Sequence, residues 1–191
     1  VLIITVLSVF LWIQSFAQND IGKLNDIDRI ALNTFLPEEI EDLSPTARNN
    51  LENKLAQIAT RYGMGANELM PRFIISANVV VLSKDITATV PQRIALTSEI
   101  TLYIGDGFEG KAFESISVTL KGVGENETKA YNTLLKNLNP ADKKISQFVE
   151  NGKRKIIAFY NSQCDFIIKE ALVLENQHRF DEAIYKLMGI P

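Results

Sequence analysis

The chain has 191 residues and a formal net charge of −3 at pH 7, from 20 lysines and arginines against 23 aspartates and glutamates. Hydrophobic residues at 46% and charged residues at 23% are ordinary for a globular protein of one domain, or of one domain with an appendage. The acidic balance argues against nucleic acid as the main partner, because phosphate binding needs a basic face, and a single cysteine excludes an internal disulfide framework and a Cys-based zinc site.

The first seventeen residues, VLIITVLSVFLWIQSFA, are uncharged and mostly apolar, and Ser15 and Ala17 occupy the two positions that a signal peptidase reads. This pattern predicts a signal peptide over residues 1–17, cleavage after Ala17 and a periplasmic or secreted location, with no membrane span after cleavage. Because the run opens on Val1, we expect an initiator Met and a basic region to precede it, and a retained signal anchor stays open as the alternative. The only cysteine is Cys164, so the run lacks the cysteine that bacterial lipidation requires.

A linker over residues 18–27 leads into the first predicted strand, residues 28–36. A helix follows, with Ser44 as its N-cap and Pro45 at its first position. Its apolar residues recur every three or four positions and it closes at Gly63 and Gly65. The predicted core face of this helix consists of Ala47, Leu51, Leu55, Ile58 and Tyr62.

Residues 72–83, 94–104 and 112–122 alternate between apolar and polar side chains with a period of two. Such alternation predicts strands with one buried and one solvated face, which is typical of an antiparallel sheet. Together with the helices on either side, the pattern predicts an α+β fold with a largely antiparallel sheet, packed helices and a C-terminal α-helical hairpin.

After Gly124 the period becomes helical. Asn126 is the expected cap of a helix that ends before Pro140. A second helix is predicted over residues 141–150 with its end near Gly152, a third over residues 153–176, and a last one over residues 180–188 after a break at residues 177–179. We therefore divide the chain into an α+β domain, residues 28–139, and a helical region, residues 140–191.

Residues 105–110 spell G-x-G-x-x-G, a pattern that binds dinucleotides when it leads from a strand into a helix. Here it joins two alternating strands, and Asp106 and Glu109 would repel phosphate, so the pattern predicts a glycine-rich β-hairpin connection.

The sequence contains no evident set of side chains that could cooperate in catalysis. His178 is the single histidine and falls in a predicted turn beside Arg179, and Cys164 lies among apolar residues of a predicted helix without a neighbouring base. One imidazole cannot make a metal ligand set. The sequence therefore predicts no catalytic, cofactor-binding or metal-binding residues, no cofactor, and a protein that is not an enzyme.

The resemblance to a known domain type rests on two features of the sequence. One is the pair of long predicted strands with Gly110 between them. The other is the set Gly122, Gly124 and Ala130, where a strand runs into a helix. Residues 28–138 resemble the periplasmic α/β domain of the curli-secretion CsgG and TolB N-terminal type and of the flagellar-assembly T type. That resemblance implies assembly or transport in the bacterial cell envelope, with other envelope proteins as partners.

The C-terminal end resembles a tetratricopeptide helix pair over about 25 residues. Ala171 and Ala183 stand twelve positions apart, where that repeat places small residues, and Leu174, Phe180 and Leu187 occupy its large positions. Since three or more repeats normally build a continuous core, we expect further sequence downstream. An ordinary helical hairpin that closes the domain is the equal alternative.

These observations lead to two functional hypotheses. The first is an exported, non-enzymatic envelope protein that acts through protein–protein interaction, through an exposed sheet edge or the helical end. The alternative is a periplasmic small-molecule or glycan-binding domain, with hydrolytic activity as an option, that uses a cleft beside residues 105–110.

Overall fold

The computed structural model describes residues 30–38, 40, 43–65, 72–88, 90–188 and 190. The predicted signal peptide and linker lie outside the described residues, as do the first two positions of the predicted first strand, residues 28–36. The elements in chain order are β1 (Leu32–Phe35), α1 (Pro45–Arg61), β2 (Phe73–Ile86), β3 (Ile94–Asp106), β4 (Lys111–Gly124), α2 (Glu127–Lys136), α3 (Lys143–Asn176) and α4 (Phe180–Met188).

The strands form one four-stranded sheet in the order β1-β2-β3-β4. β1 and β2 are parallel, with α1 as the connection between them, whereas β2, β3 and β4 form an antiparallel meander. The fold is therefore α+β with a mostly antiparallel sheet and a C-terminal helical region, as the sequence predicts.

The helices pack on one face of the sheet, and the alternation of the strands decides which face that is. Every second residue of β2 and β3 points into the helix layer, and the intervening residues form an open face that no described helix covers. The buried strand residues include Phe73, Ile75, Ala77, Val79, Leu96, Ile100, Leu102 and Ile104, and they share one core with Leu51, Leu55 and Ile58 of α1 and Leu134 of α2.

Polar caps fix the starts of the helices as expected from the sequence. Ser44 Oγ accepts a hydrogen bond from Ala47 N, and Asn126 Oδ1 accepts one from Lys129 N at 2.9 Å. Each bond satisfies an N–H group that has no partner within its own helix.

Gly122 and Gly124 allow α2 to lie directly on β4. A Cβ atom built on Gly122 would stand 2.2 Å from the carbonyl oxygen of Ala130, and one on Gly124 would stand 2.3 Å from the Ala130 nitrogen. Both distances are far inside van der Waals contact with backbone atoms that cannot move alone. Glycine at these two positions is therefore a condition for the strand-to-helix packing.

The prediction of two helices separated near Gly152 is wrong, because α3 runs unbroken for 34 residues. Asp142 caps its start, with Oδ1 accepting a hydrogen bond from Lys144 N at 2.8 Å. Gly152 lies buried inside the helix, where a Cβ atom would stand 2.7 Å from Ile104 Cδ1. The glycine allows close contact between helix and sheet rather than ending the helix. Among the described residues, no helix has the length and apolar character needed to cross a membrane.

Candidate functional site

The glycine-rich segment at residues 105–110 connects β3 to β4, which confirms the predicted hairpin. Gly110 has a φ angle of +63°, a left-handed conformation that glycine adopts without strain. Gly107 N donates a hydrogen bond to Arg72 O at 2.8 Å, so the turn is attached to the residue that precedes β2.

Asp106 is the centre of a hydrogen-bonded cluster at this turn and is 2% exposed. Its Oδ2 atom accepts hydrogen bonds from Arg72 Nε at 2.7 Å and from the Tyr160 hydroxyl at 2.9 Å. Its Oδ1 atom accepts the backbone N–H groups of Phe108 at 2.9 Å and Glu109 at 3.0 Å. Four donors therefore satisfy one buried carboxylate.

These contacts set the protonation states of the cluster. Burial by itself would raise the pKa of Asp106, but the Glu109 and Phe108 N–H groups, the Arg72 guanidinium and the Tyr160 hydroxyl together lower it. Burial, followed by the hydrogen bond to Asp106, raises the pKa of Tyr160 well above its usual range. Near neutral pH the carboxyl group of Asp106 is therefore an anion, and the phenol of Tyr160 keeps its proton.

Arg72 completes the cluster and links its parts. Burial opposes the charge of the guanidinium, yet the hydrogen bond to Asp106 and the nearby negative groups raise the pKa of Arg72. Its Nη2 atom lies 3.1 Å from Glu109 Oε1, and its guanidinium carbon lies 5.1 Å from the centre of the Tyr160 ring. The cluster thus joins the start of β2, the β3–β4 turn and α3.

An aromatic group packs beside the ion pair. The Tyr160 ring makes edge contacts with Phe73 at 5.6 Å and with Phe159 at 5.2 Å, and Phe159 lies 5.6 Å from Phe113. Lys111 Nζ lies 3.4 Å from the centre of the Phe159 ring. Such contacts each add stability beyond that from buried area alone. The aromatic group therefore stabilises the packing of α3 against this end of the sheet.

Two clefts in the described part of the chain lie beside α1, away from the Asp106 and Glu109 carboxylates that the alternative hypothesis uses. A cleft of about 540 Å³ lies between β1 and the end of α1, and one of about 770 Å³ lies between α1 and residues 139–141. Neither is lined by Asp106 or Glu109. Within the described residues, no group of three or more His, Cys, Asp or Glu side chains is arranged to hold a metal ion.

The second candidate region is the helical end of the chain. Large apolar side chains remain exposed on α4 with the spacing of one helix face, and others are exposed on the second half of α3. We call these residues the apolar helical surface; they are Phe166, Leu172, Val173, Phe180, Ile184, Leu187 and Met188.

The helical hairpin itself is held by small residues, a salt bridge and an aromatic pair. Ala171 of α3 and Ala183 of α4 are both buried, and Lys186 Nζ lies 2.8 Å from Glu170 Oε2. The Tyr185 ring lies 5.0 Å from Phe108 in the β3–β4 turn, so α4 also contacts the sheet domain. The likeness to a tetratricopeptide pair stays a prediction.

The two other residues with reactive side chains, Cys164 and His178, are not part of the cluster around Asp106. Cys164 is half-buried on α3, and His178 is exposed within the turn between α3 and α4, with a φ angle of +60°. Arg72 and Tyr160, which hold Asp106, carry no signal in the sequence, because they lie 34 and 54 positions from it.

No protein-family model matches the chain, and no curated protein is significantly similar to it. Solved structures that match include a minor lipoprotein from Acinetobacter baumannii, at 15% identity and a TM-score of 0.33, over 66% of this chain and 91% of that one. Another is a candidate lipoprotein from Caulobacter crescentus CB15, at 9% identity and a TM-score of 0.34, over 69% of this chain and 86% of that one.

Proposed function

We propose that this chain is an exported, non-enzymatic protein of the bacterial cell envelope that acts through protein–protein interaction in assembly or transport. Its N-terminal segment reads as a signal peptide, and the resemblance of residues 28–138 to periplasmic α/β domains points to the same location. The observation that carries the proposal is the apolar helical surface, which exposes seven large apolar side chains on two adjacent helices.

The arrangement of the titratable groups supports binding rather than catalysis. Asp106 has all its acceptor positions engaged by protein donors, and its pKa is lowered rather than brought toward neutral pH. A general acid or base works best with a pKa near the pH of the reaction. Of the two carboxylates that the alternative of a glycan- or small-molecule-binding cleft uses, Asp106 is buried and Glu109 is exposed.

The interaction is tested by site-specific photocrosslinking in cells that produce the full chain. A photoreactive residue replaces Ile184 on the apolar helical surface, and a matched variant carries it at Glu182, which points to the opposite side of α4. We expect discrete crosslinked products from position 184 that are absent from position 182. Equal products from both positions, or none from position 184, would contradict the proposal.

Export is tested separately on the same cells. Mass spectrometry of the mature N-terminus after fractionation should find a chain that begins at Gln18 in the periplasmic or secreted fraction. A chain found only in the cytoplasm would contradict export, and a chain that keeps residues 1–17 in the membrane fraction would support the signal anchor instead.

A further inference from the structure

Acidic side chains border the exposed apolar residues of α3. Asp165, Ile168, Leu172 and Glu175 follow one another at intervals of three, four and three residues. Residues at such intervals lie on one side of a helix. Ile168 and Leu172 are 41% and 51% exposed, and both carboxylates are exposed as well. This side of α3 therefore carries two apolar side chains with a carboxylate at either end.

The same pattern recurs on α4. Asp181, Ile184 and Met188 follow one another at intervals of three and four residues, so they also share one side of their helix. Ile184 and Met188 are 56% and 78% exposed, and Asp181 is exposed beside them. Asp181 lies in the first turn of α4, where a carboxylate also stabilises the helix.

The salt bridge between the helices shows that these two rows belong to one surface. Glu170 and Lys186, 2.8 Å apart, join α3 to α4 on one side of the hairpin. Two residues along an α-helix turn by about 200°. Leu172, two positions after Glu170, and Ile184, two positions before Lys186, therefore both lie on the other side. The apolar rows of α3 and α4 are neighbours there.

The three carboxylates beside the rows, Asp165, Glu175 and Asp181, are called the acidic border, and none of them forms an ion pair with a described residue. Acidic residues elsewhere on the hairpin are neutralised by the chain itself: Glu170 by Lys186, and Glu182 by the Arg179 guanidinium.

The exposed cation of the hairpin that stands outside these pairs is Lys169. Three carboxylates against one ammonium group leave the acidic border with a net charge of −2 near neutral pH. The apolar helical surface is therefore set in a negative field that the chain does not neutralise itself.

This charge selects among the possible occupants of the surface. In a twofold dimer the same surface meets itself, so the acidic border of one copy would lie against that of the other. Such like-charge contacts across an interface are costly. An anionic lipid surface attracts basic segments and would repel this border. A partner with positive charges beside an apolar stripe is complementary in both respects.

We propose that the apolar helical surface binds a basic amphipathic helix of another envelope protein. The proposal rests on the proposed function and adds the chemistry of the partner. The bound helix places apolar side chains, spaced by three and four residues, on Leu172, Ile184 and Met188. Its lysines or arginines lie about ten residues apart, because Asp165 and Glu175 are separated by about 15 Å along α3.

A synthetic probe tests the charge preference with the chain purified from cells that produce it. The probe is a labelled amphipathic peptide of leucine and lysine, with leucines spaced by three and four residues, and its binding is measured by fluorescence anisotropy. The same peptide with glutamate in place of lysine is the control. We expect saturable binding of the lysine peptide and at least tenfold weaker binding of the glutamate peptide.

Two double variants separate the acidic border from the net charge of the protein. Asp165→Lys with Glu175→Lys reverses two charges of the border and leaves Asp181 in place to stabilise α4. Glu52→Lys with Glu150→Lys makes the same change in net charge at exposed positions of α1 and of the first half of α3. The first pair should weaken binding of the lysine peptide at least tenfold, and the second pair less than twofold. Thermal transitions near that of the parent show that both are folded.

The natural partner is tested by photocrosslinking from position 184 in cells that produce the full chain. Asp165→Lys with Glu175→Lys should reduce the yield of crosslinked products at least tenfold, whereas Glu52→Lys with Glu150→Lys should retain it.

The outcomes distinguish this proposal from the proposed function. Products whose yield is the same in both double variants would overturn the basic partner and leave protein–protein interaction standing. Equal weakening of the lysine peptide by both pairs would also overturn it, because net charge alone would explain the binding. Products with twice the mass of the chain would assign the surface to a second copy, and crosslinks to lipid would assign it to a membrane. Absence of products from the parent chain would contradict the proposed function and this proposal together.

Discussion

The Tyr160 hydroxyl donates to Asp106 Oδ2 over 2.9 Å and so attaches α3 to the turn between β3 and β4. Both side chains are buried, and the acceptor is a carboxylate that also binds Arg72. Hydrogen bonds to a charged group in such a setting are stronger than neutral ones. The position of α3 on the sheet therefore depends on a polar contact as well as on apolar packing.

Replacing Tyr160 with Phe removes this hydrogen bond and keeps the ring contacts with Phe73 and Phe159. We expect the free energy of unfolding to fall by about 1.5–3 kcal/mol, the range for a hydrogen bond to a charged group. Urea denaturation followed by circular dichroism measures the loss. Tyr103→Phe, on the open face of the sheet, is the control and should change stability by less than about 0.5 kcal/mol; equal losses would contradict the assignment.

Asp106→Asn and Asp106→Ala separate the charge from the hydrogen bonds. Asn loses the ion pair with Arg72 but keeps an oxygen for the Phe108 and Glu109 N–H groups. We expect a loss of about 3 kcal/mol for Asn, since one partner of a buried pair is removed. Ala should cost about 1–3 kcal/mol more, because it also leaves those N–H groups without their acceptor. Chemical denaturation of both variants checks the order, and a less stable Asn variant would contradict it.

The stability of the protein should depend on pH through Asp106. Its pKa is lower in the folded state than the ordinary value of 3.8, so the folded state binds its proton less readily than the unfolded chain. The resulting stabilisation is complete above that ordinary value and is lost as the pH falls through the lowered folded pKa.

Unfolding free energies measured between pH 2 and pH 7 test this dependence. The wild type should lose more stability below about pH 4 than Asp106→Asn does, because the variant has no proton to bind at this position. Other carboxylates are common to both proteins and cancel in the comparison. Parallel curves for the two proteins would show that Asp106 does not contribute.

Gly122→Ala should disturb the contact between β4 and α2. The added methyl group would overlap the Ala130 carbonyl oxygen, so the helix must shift or the strand must bend. We expect a loss of about 3 kcal/mol or more, at the upper end for an overpacked core. Val123→Ala on the neighbouring, exposed position is the control and should cost less than about 1 kcal/mol. A thermally stable Gly122→Ala variant would contradict the packing.

Local patterns in the sequence were sufficient for most of the fold. Alternation in β2, β3 and β4 identified the buried face, because one side of each strand meets the helices. Ser44 and Asn126 identified two helix starts through bonds that span three residues. These features depend on neighbours in the chain, which is why a single sequence reveals them.

Features that depend on distant residues were not predictable. Gly152 has the local character of a helix end, but its place against Ile104 keeps it inside α3. Asp106 lies in a sequence typical of an exposed loop, and it becomes a buried anion only because Arg72 and Tyr160, which are distant in the chain, contact it in the fold. Neither this contact nor the one between Gly152 and Ile104 follows from a local periodicity or spacing.

Because α3 is long, a small change at the hydrogen bond between Tyr160 and Asp106 would move its far end by several ångströms. At 1.5 Å per residue the helix continues about 24 Å beyond Tyr160, and it carries the apolar helical surface toward its far end. A tilt of about 10° at Tyr160 would displace that end by about 4 Å. The ring contact between Phe108 in the β3–β4 turn and Tyr185 on α4 opposes this tilt. The position of the far end of α3 therefore depends on two contacts with the sheet, one at Tyr160 and one through α4.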